Sequence, residues 1–287
     1  MMSLTKNLLK SKTLLPIFFI IGLLVIPAGK AYSQGVLIPQ SFFLESPYSI
    51  TDVQVNGEWI DLEDGNGNLW MTRFRADVNL YENLLGVYVK VPFAGNSGGN
   101  LAGDFDIGNI GVGGKAAIVS TDQTVLTGGF EVIVPTTSDN NGALLARNYF
   151  RDFVYFVDEA WTVAPYAVFG AGNGKFGFQA NIEGDIMLNA DDIEGDSTEY
   201  LVKYGGTVSL TPEFNLPFAT SFLVEVLAVS SLSFDNNITG AWVNPGIRIG
   251  GQTISMGIAG EIPFGSDEVK DFSKFGLMAD IIFRWGS

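Results

Sequence analysis

Apolar and polar residues alternate with a period of two along much of the chain. In the segment 70–80, Trp70 and Phe74 fall on one face, whereas Arg73 and Arg75 fall on the other. This alternation is typical of a sheet with one apolar and one polar face. Strands of globular proteins average about five or six residues, but these segments are about ten to fifteen residues long, so the pattern predicts membrane-spanning strands. The other clear examples are 175–189 and 272–285.

Read in this way, the chain predicts an all-β protein: a single antiparallel, up-and-down transmembrane β-barrel of about twelve strands. An even number is what a single-chain bacterial barrel with both termini in the periplasm requires. Parity then places the short connections on the periplasmic side and the longer, mostly acidic loops on the outer side. The strands are expected near 51–60, 69–80, 84–93, 105–119, 123–134, 161–169, 174–189, 199–210, 218–231, 240–250, 252–263 and 272–285.

The longest outer loop, 135–160, is unusually aromatic. Exposed to water, such a cluster would form a costly apolar patch, so we expect it to enter the barrel mouth as a short helix or folded lid that gates the lumen. Arg147 and Arg151 would then lie at its rim. The alternative is that 147–157 forms a strand beside 161–169 and contributes to the upper aromatic girdle. The gate candidates are Tyr149, Phe150, Phe153, Tyr155 and Phe156.

The first 33 residues have the pattern of a secretory signal peptide. Three lysines precede an apolar run over 14–26, and Ala31 and Ser33 supply small residues at the −3 and −1 positions of a cleavage site before Gln34. An uncleaved N-terminal anchor is the alternative. Together with the strand pattern, export of this kind predicts a protein of the outer membrane of a Gram-negative-type bacterium.

Residues 34–50 are the one part of the mature chain outside the strand pattern, and they contain the apolar Phe42, Phe43 and Leu44. The segment precedes the first strand, so it could fold back and close the lumen as a plug. A disordered N-terminal tail is the alternative. The predicted organisation is a signal peptide at 1–33, this N-terminal segment at 34–50 and the barrel at 51–287.

Composition narrows the function. The 287-residue chain has no cysteine and no histidine, which excludes zinc fingers, disulfide scaffolds and nucleophile–histidine pairs. A net charge of −15 would repel a phosphate backbone, so we expect no nucleic-acid partner. We also expect no enzyme, no catalytic residue and no cofactor. Outside the N-terminal run, the hydrophobicity is spread thinly, as in a membrane barrel.

Charged residues collect on the face opposite the apolar one. A charge facing lipid would cost roughly 2–4 kcal/mol near the bilayer midplane, so we expect these side chains to face the lumen. Eight basic and seven acidic residues predict a balanced interior without strong ion selectivity. They either line a pore or pair across the lumen and fill it. They are Arg73, Arg75, Lys90, Lys115, Lys203, Arg248, Lys274 and Arg284, with Asp77, Glu131, Glu183, Asp185, Glu225, Glu261 and Asp280.

Two acidic loops, 191–199 and 64–68, offer carboxylate and amide oxygens of the kind that divalent cations bind. Neither has the residue spacing of an EF-hand. A solvated acidic loop is therefore the interpretation we favour for both, and we predict no metal site.

Three stretches resemble one family of outer-membrane proteins. They are 104–108 leading into 111–115, then 131–136, and 244–248 followed by 257–265. Together they resemble the outer-membrane transporter family named for the MetA pathway of phenol degradation and, more distantly, the FadL-type channels for hydrophobic compounds. The resemblance implies a barrel that passes small, often aromatic or apolar molecules, and it brings no catalytic motif.

The resulting hypothesis is an outer-membrane channel or transporter for small molecules. Its expected partners are the lipid bilayer, the barrel-assembly machinery and a small-molecule solute. The competing hypothesis is a non-conducting barrel with a structural or surface-interaction role, its lumen filled by its own charges. Conductance in planar bilayers separates the two.

Overall fold

The computed structural model describes residues 38–63, 67–99, 103–138, 140–190, 193, 197–213, 218–234, 238–251 and 253–285. The expected signal peptide, the start of the N-terminal segment and most of both acidic loops lie outside these residues. No helix in the described ranges is long and apolar enough to cross a membrane.

Twelve long strands form a closed antiparallel barrel, as the alternation predicted. Each expected segment contains one of them, with ends that differ by a few residues. A thirteenth, short strand, β4, extends the wall beside β3. The strands are β1 (Asp52–Leu62), β2 (Asn68–Tyr81), β3 (Leu85–Ser97), β4 (Phe105–Ile107), β5 (Ile110–Ser120), β6 (Thr124–Val134), β7 (Trp161–Gly172), β8 (Phe176–Leu188), β9 (Thr198–Leu210), β10 (Ala219–Ser231), β11 (Thr239–Gly250), β12 (Ile254–Gly265) and β13 (Ser273–Arg284).

The barrel closes because β1 pairs with β13 as well as with β2. Asp52 lies opposite Arg284 at one end of the closing seam, and Ile60 lies opposite Gly276 near the other. β3 pairs directly with β5 over residues 85–90 and with the short β4 over residues 93–95. The ring of long strands is therefore continuous. Closure satisfies the backbone groups that an open sheet edge would leave unpaired in lipid.

One expected strand, 105–119, is interrupted. Gly108 and Asn109 leave the ladder between β4 and β5. The Asn109 side chain donates hydrogen bonds to the carbonyls of Val154 and Val157, and its side-chain oxygen accepts one from the backbone N–H of Thr136. The break therefore holds both ends of the long loop 135–160 against the wall.

The faces of the strands follow the predicted alternation. Phe74, Phe176, Phe178 and Phe283 all lie on the exposed outer surface. Lys274 is an exception to the expected inward placement. It sits in a bulge where Leu62 pairs with Ser273 and Asp61 pairs with Phe275, and its side chain is 47% exposed. The bulge breaks the period of two on which that expectation depended.

The outer surface permits a depth-dependent test. Ile182 lies midway along β8, and Leu188 lies at the end of the same strand; both are exposed on the outer face. We expect Ile182→Arg to lower the free energy of unfolding by about 2–4 kcal/mol and Leu188→Arg by about 0–1 kcal/mol, because the cost of a charge falls toward the interface. Urea unfolding in lipid vesicles measures both. Equal costs would contradict the assignment of this face to lipid.

The long loop turns into the barrel and fills the end at which the longer loops lie, called here the long-loop end. It forms helix α1 (Asn141–Asn148) and a 3₁₀ helix (Phe153–Tyr155), and residues 147–157 form no strand. A further helix, α2 (Asp267–Lys270), lies between β12 and β13. Apolar inward residues at the long-loop end pack against the loop. They include Leu62, Leu69, Met71, Met187, Leu201, Leu227, Trp242 and Met278.

Candidate functional site

The candidate site is the barrel interior, where the described part of the N-terminal segment, residues 38–50, runs along the wall. This luminal segment starts and ends near the short turns. Its Ile38 packs near Gly170 and Gly177, and the backbone N–H of Ser49 donates to the carbonyl of Asn83. Between these points the chain passes deep into the lumen, with Phe42, Phe43 and Leu44 buried.

Glu225 anchors the deepest part of the luminal segment. Its carboxylate accepts hydrogen bonds from the backbone N–H groups of Phe42, at 2.9 Å, and Phe43, at 3.1 Å. Next to it, the hydroxyls of Ser41 and Thr207 lie 2.8 Å apart. A carboxylate on β10 thus supplies the acceptors that this irregular backbone needs when it leaves water.

Phe42 lies where the wall carries no side chain. A Cβ on Gly246 would come within 2.5 Å of the Phe42 ring, and one on Gly257 within 2.6 Å. On the same ring, the guanidinium of Arg248 lies 5.0 Å from the centroid. The two glycines therefore form a recess into which this one aromatic side chain fits.

Arg248 and Asp280 form a second anchor for the luminal segment. The two side chains make a bidentate pair with N–O distances of 2.9 and 2.7 Å. The Arg248 Nε also donates to the carbonyl of Gln40 at 2.9 Å, and Arg284 lies 3.5 Å from the Gln40 side chain. Strands β11 and β13 are thereby connected to the luminal segment.

Glu45 lies at the centre of a buried charge cluster, called here the Glu45 cluster: Glu45, Arg75, Asp77, Lys90, Lys115 and Glu131. Glu45 is 2.7 Å from Arg75 and 2.5 Å from Lys90. Asp77 pairs with Arg75 at 2.5 Å, and Glu131 pairs with Lys90 at 2.7 Å. Lys115 reaches Asp77 at 3.7 Å and donates to the carbonyl of Ser46.

Electrostatics favour the charged form of Glu45, which belongs to the luminal segment and not to a strand. Burial by itself would raise the pKa of the Glu45 carboxyl, but the positive charges of Arg75, Lys90 and Lys115 hold it well below its usual range. On the other side, the Glu45 carbonyl accepts hydrogen bonds from Gln179 and Asn181. Glu45 is therefore an anionic attachment point at neutral pH.

Arg151 forms a third cluster, at the level of the long loop. Its guanidinium is fully buried and pairs with Glu58, Glu261 and Asp152. It also lies 4.0 Å from the centroid of the Phe43 ring. The expectation that Arg151 lies at the rim is wrong, because three inward carboxylates from β1, β12 and the loop itself hold it inside the barrel.

The gate candidates lie in the lumen at this level. Tyr149 is completely buried, packs on Trp242 and donates its hydroxyl to Glu261. Phe150 and Phe153 pack on Phe234. Tyr155 donates to Glu131 at 2.6 Å, so the loop contacts the Glu45 cluster. Phe156 is also buried, at 3% exposure.

The remaining lumen candidates line a cavity or lie close to it. Glu183 lies opposite Lys203 across β8 and β9, and Asp185 is buried two residues further along β8. The cavity, of about 20 Å³, also contacts Arg73, Lys90 and Glu45. That volume has room for water and not for an organic solute. Arg73 lies 3.7 Å from Asp152. Of the fifteen charged residues that the sequence places in the lumen, fourteen lie on the inward face, and Lys274 is the exception.

Sequence reasoning missed several interior charges. The described interior gains the carboxylates of Glu45, Asp52, Glu58, Asp152 and Glu199 and the guanidinium of Arg151, and it loses Lys274. Glu199, which was expected in a solvated acidic loop, is fully buried on the inward face of β9. The interior is therefore acidic and not balanced. The alternation of Asp52, Gln54, Asn56 and Glu58 along β1 was a signal that could have located two of them. Among the described residues, no group of three or more acidic side chains is arranged to hold a metal ion.

An apolar outer surface around a charged interior defines a β-barrel of the outer-membrane type, and solved structures agree on the fold. An outer-membrane channel from Pseudomonas putida F1 aligns with a TM-score of 0.55 at 13% identity over 86% of this chain and 100% of its own. The NanC porin aligns with a TM-score of 0.53 at 14% identity, over 81% of this chain and 100% of its own. The β domain of the Bordetella autotransporter BrkA aligns with a TM-score of 0.51 at 11% identity, over 83% of this chain and 100% of its own.

These likenesses show the fold alone, since a channel, a porin and an autotransporter domain share it. No family model matches the chain, and no curated protein matches it. The specific resemblance to the MetA-pathway transporters is therefore not confirmed.

Proposed function

We propose that this protein is a passive outer-membrane channel for small molecules, held closed by the luminal segment and the long loop. The observation that carries the proposal is the way the luminal segment is attached. Its contacts with the wall run through side chains such as Glu225, Glu45 and Arg248. These contacts can separate without breaking the strand ladder, so the barrel has a means of opening.

The proposed location is the outer membrane of a Gram-negative-type bacterium, reached after export with a cleaved signal peptide and insertion by the barrel-assembly machinery. The apolar outer face supports a lipid bilayer as the surrounding medium. The interior chemistry is non-enzymatic in this proposal.

The solute would meet two chemically different zones. The middle of the lumen presents charged and amide side chains, which favour polar groups. At the long-loop end, Tyr149, Phe150, Phe153, Tyr155 and Phe156 are proposed to form an aromatic gate. Passage of apolar or aromatic compounds, which the family resemblance implies, would require this gate to open.

A non-conducting structural barrel is the second candidate, and the small size of the cavity beside Glu45 favours it. Single-channel recording in planar bilayers separates the two. A closed channel should show infrequent openings, together with measurable flux of small solutes into liposomes. Absence of both, in the wild type and in a variant from which the luminal segment and the long loop have been removed, would support the structural role.

A further inference from the structure

Glu45 is the only charged residue between positions 38 and 50. The wall that it contacts carries three cations, Arg75, Lys90 and Lys115, and these also pair with the wall carboxylates Asp77 and Glu131. All five side chains are buried. Without Glu45, Arg75 and Lys90 would each lose one of two carboxylate partners.

The geometry around Glu45 is suited to a carboxylate. Arg75 Nη1 lies 2.7 and 2.8 Å from the two Glu45 oxygens, and Lys90 Nζ lies 2.5 Å from Oε1. The Tyr88 ring lies 4.4 Å from the Arg75 guanidinium and holds it in place. Charge-assisted contacts of this kind are the strongest hydrogen bonds available in a protein.

We propose that this wall is a binding site for the carboxylate of a small organic anion, and that Glu45 is its tethered occupant in the closed barrel. The inference rests on the proposed channel function and names a solute class for it. An entering carboxylate takes the contacts of Glu45 with Arg75 and Lys90 and so releases the middle of the luminal segment.

The ion pairs of Glu45 explain why the solute should be anionic. Removing one partner from a buried ion pair is strongly unfavourable. A neutral solute cannot offset that cost, whereas a carboxylate restores the same contacts with Arg75 and Lys90. Glu45 is a tethered competitor, so a free carboxylate displaces it only at a concentration above the effective concentration of Glu45.

The test uses the full-length protein with Glu45→Ala, which removes the tethered carboxylate. The substitution vacates the space of a short carboxylate, so the probe is acetate. Isothermal titration with acetate should show saturable 1:1 binding, tightened at least about tenfold relative to the wild type because the competitor is gone. Acetamide, its neutral analogue, and sulfate at equal ionic strength should not reproduce it. Adding Lys90→Met to Glu45→Ala should abolish the binding.

Glu225→Ala is the matched control. It removes another buried carboxylate that holds the same segment, but its contacts are backbone N–H groups, so no carboxylate site should appear. A folded Glu45→Ala protein without saturable acetate binding would overturn the proposal. If Glu45→Ala does not fold, the same titration on Glu45→Ser, which also vacates the carboxylate position, decides the matter in the same way.

Bilayer recordings on the same proteins keep this inference separate from the channel function. In the wild type, acetate should increase the open fraction, whereas acetamide should not. Acetate binding without conductance in any variant would reject the channel and retain the site. Conductance without acetate binding would reject the site and retain the channel.

Discussion

Deleting residues 38–48 together with residues 141–157 of the long loop should convert a closed barrel into a conducting one. The luminal segment passes through the middle of the interior and the loop fills one end, while twelve strands enclose a space between that of filled eight-stranded barrels and open porins. We expect the mean current in planar bilayers to rise at least about tenfold above that of the wild type. The barrel should remain folded, since the strand ladder depends on neither element.

The deletion should also lower stability. Phe42, Phe43 and Leu44 are buried by the barrel, and burial of each such side chain contributes about 1.5–3 kcal/mol. A lower unfolding temperature with retained heat-resistant migration is the expected pattern. A heat-resistant variant with both deletions that carries no more current than the wild type would contradict the role of these two elements as a plug.

A reversible control is available because the chain has no cysteine. The hydroxyls of Ser41 and Thr207 lie 2.8 Å apart, so Ser41→Cys with Thr207→Cys places two thiols within reach of a disulfide. The oxidised protein should remain closed even with acetate, and a reducing agent should restore the wild-type openings. Ser41→Cys alone should behave as the wild type under both conditions.

The second large effect is expected at Arg151. Replacing it with Met leaves the buried carboxylates of Glu58, Glu261 and Asp152 without the guanidinium that they share. Loss of one partner from a buried ion pair costs about 3–5 kcal/mol. We expect Arg151→Met to lower the free energy of unfolding by that amount and to expose the long loop to protease.

Arg147→Met is the matched control, because Arg147 lies near the end of α1 and is only partly buried. Its cost should stay within about 0.5 kcal/mol. Adding Glu58→Gln and Glu261→Gln to Arg151→Met should recover part of the loss, since the uncompensated negative charges are then removed. Equal stability of the two arginine variants would show that the buried cluster does not hold the loop.

The strands and their faces were predictable because the information is local. In β2, Phe74 points outward and Arg75 inward, and the pleat alone requires this alternation. Strand lengths near those of a membrane crossing and the even count then defined the barrel. Lys274 shows the limit of this reasoning, since a single bulge shifts the period at the start of β13.

The filling of the interior could be anticipated only in part. The aromatic content of the long loop predicted that the loop would be buried. The way in which it is held was not predictable, because Asn109, at the interruption between β4 and β5, bonds to carbonyls more than forty residues away. The sequence placed Arg151 at the rim because it does not show which carboxylates come together around this side chain. Its three partners lie on β1, on β12 and next to it in the loop.

What the sequence by itself determined was the barrel, because a period of two assigns each side chain to lipid or lumen without reference to distant residues. Only the tertiary structure decided what occupies the lumen. The backbone N–H of Phe42 donates to Glu225, which is 183 positions away along the chain. Glu45 pairs with Arg75, which is 30 positions away. Such pairs are selected by charge compensation and packing among strands that closure brings together, and no local pattern encodes them.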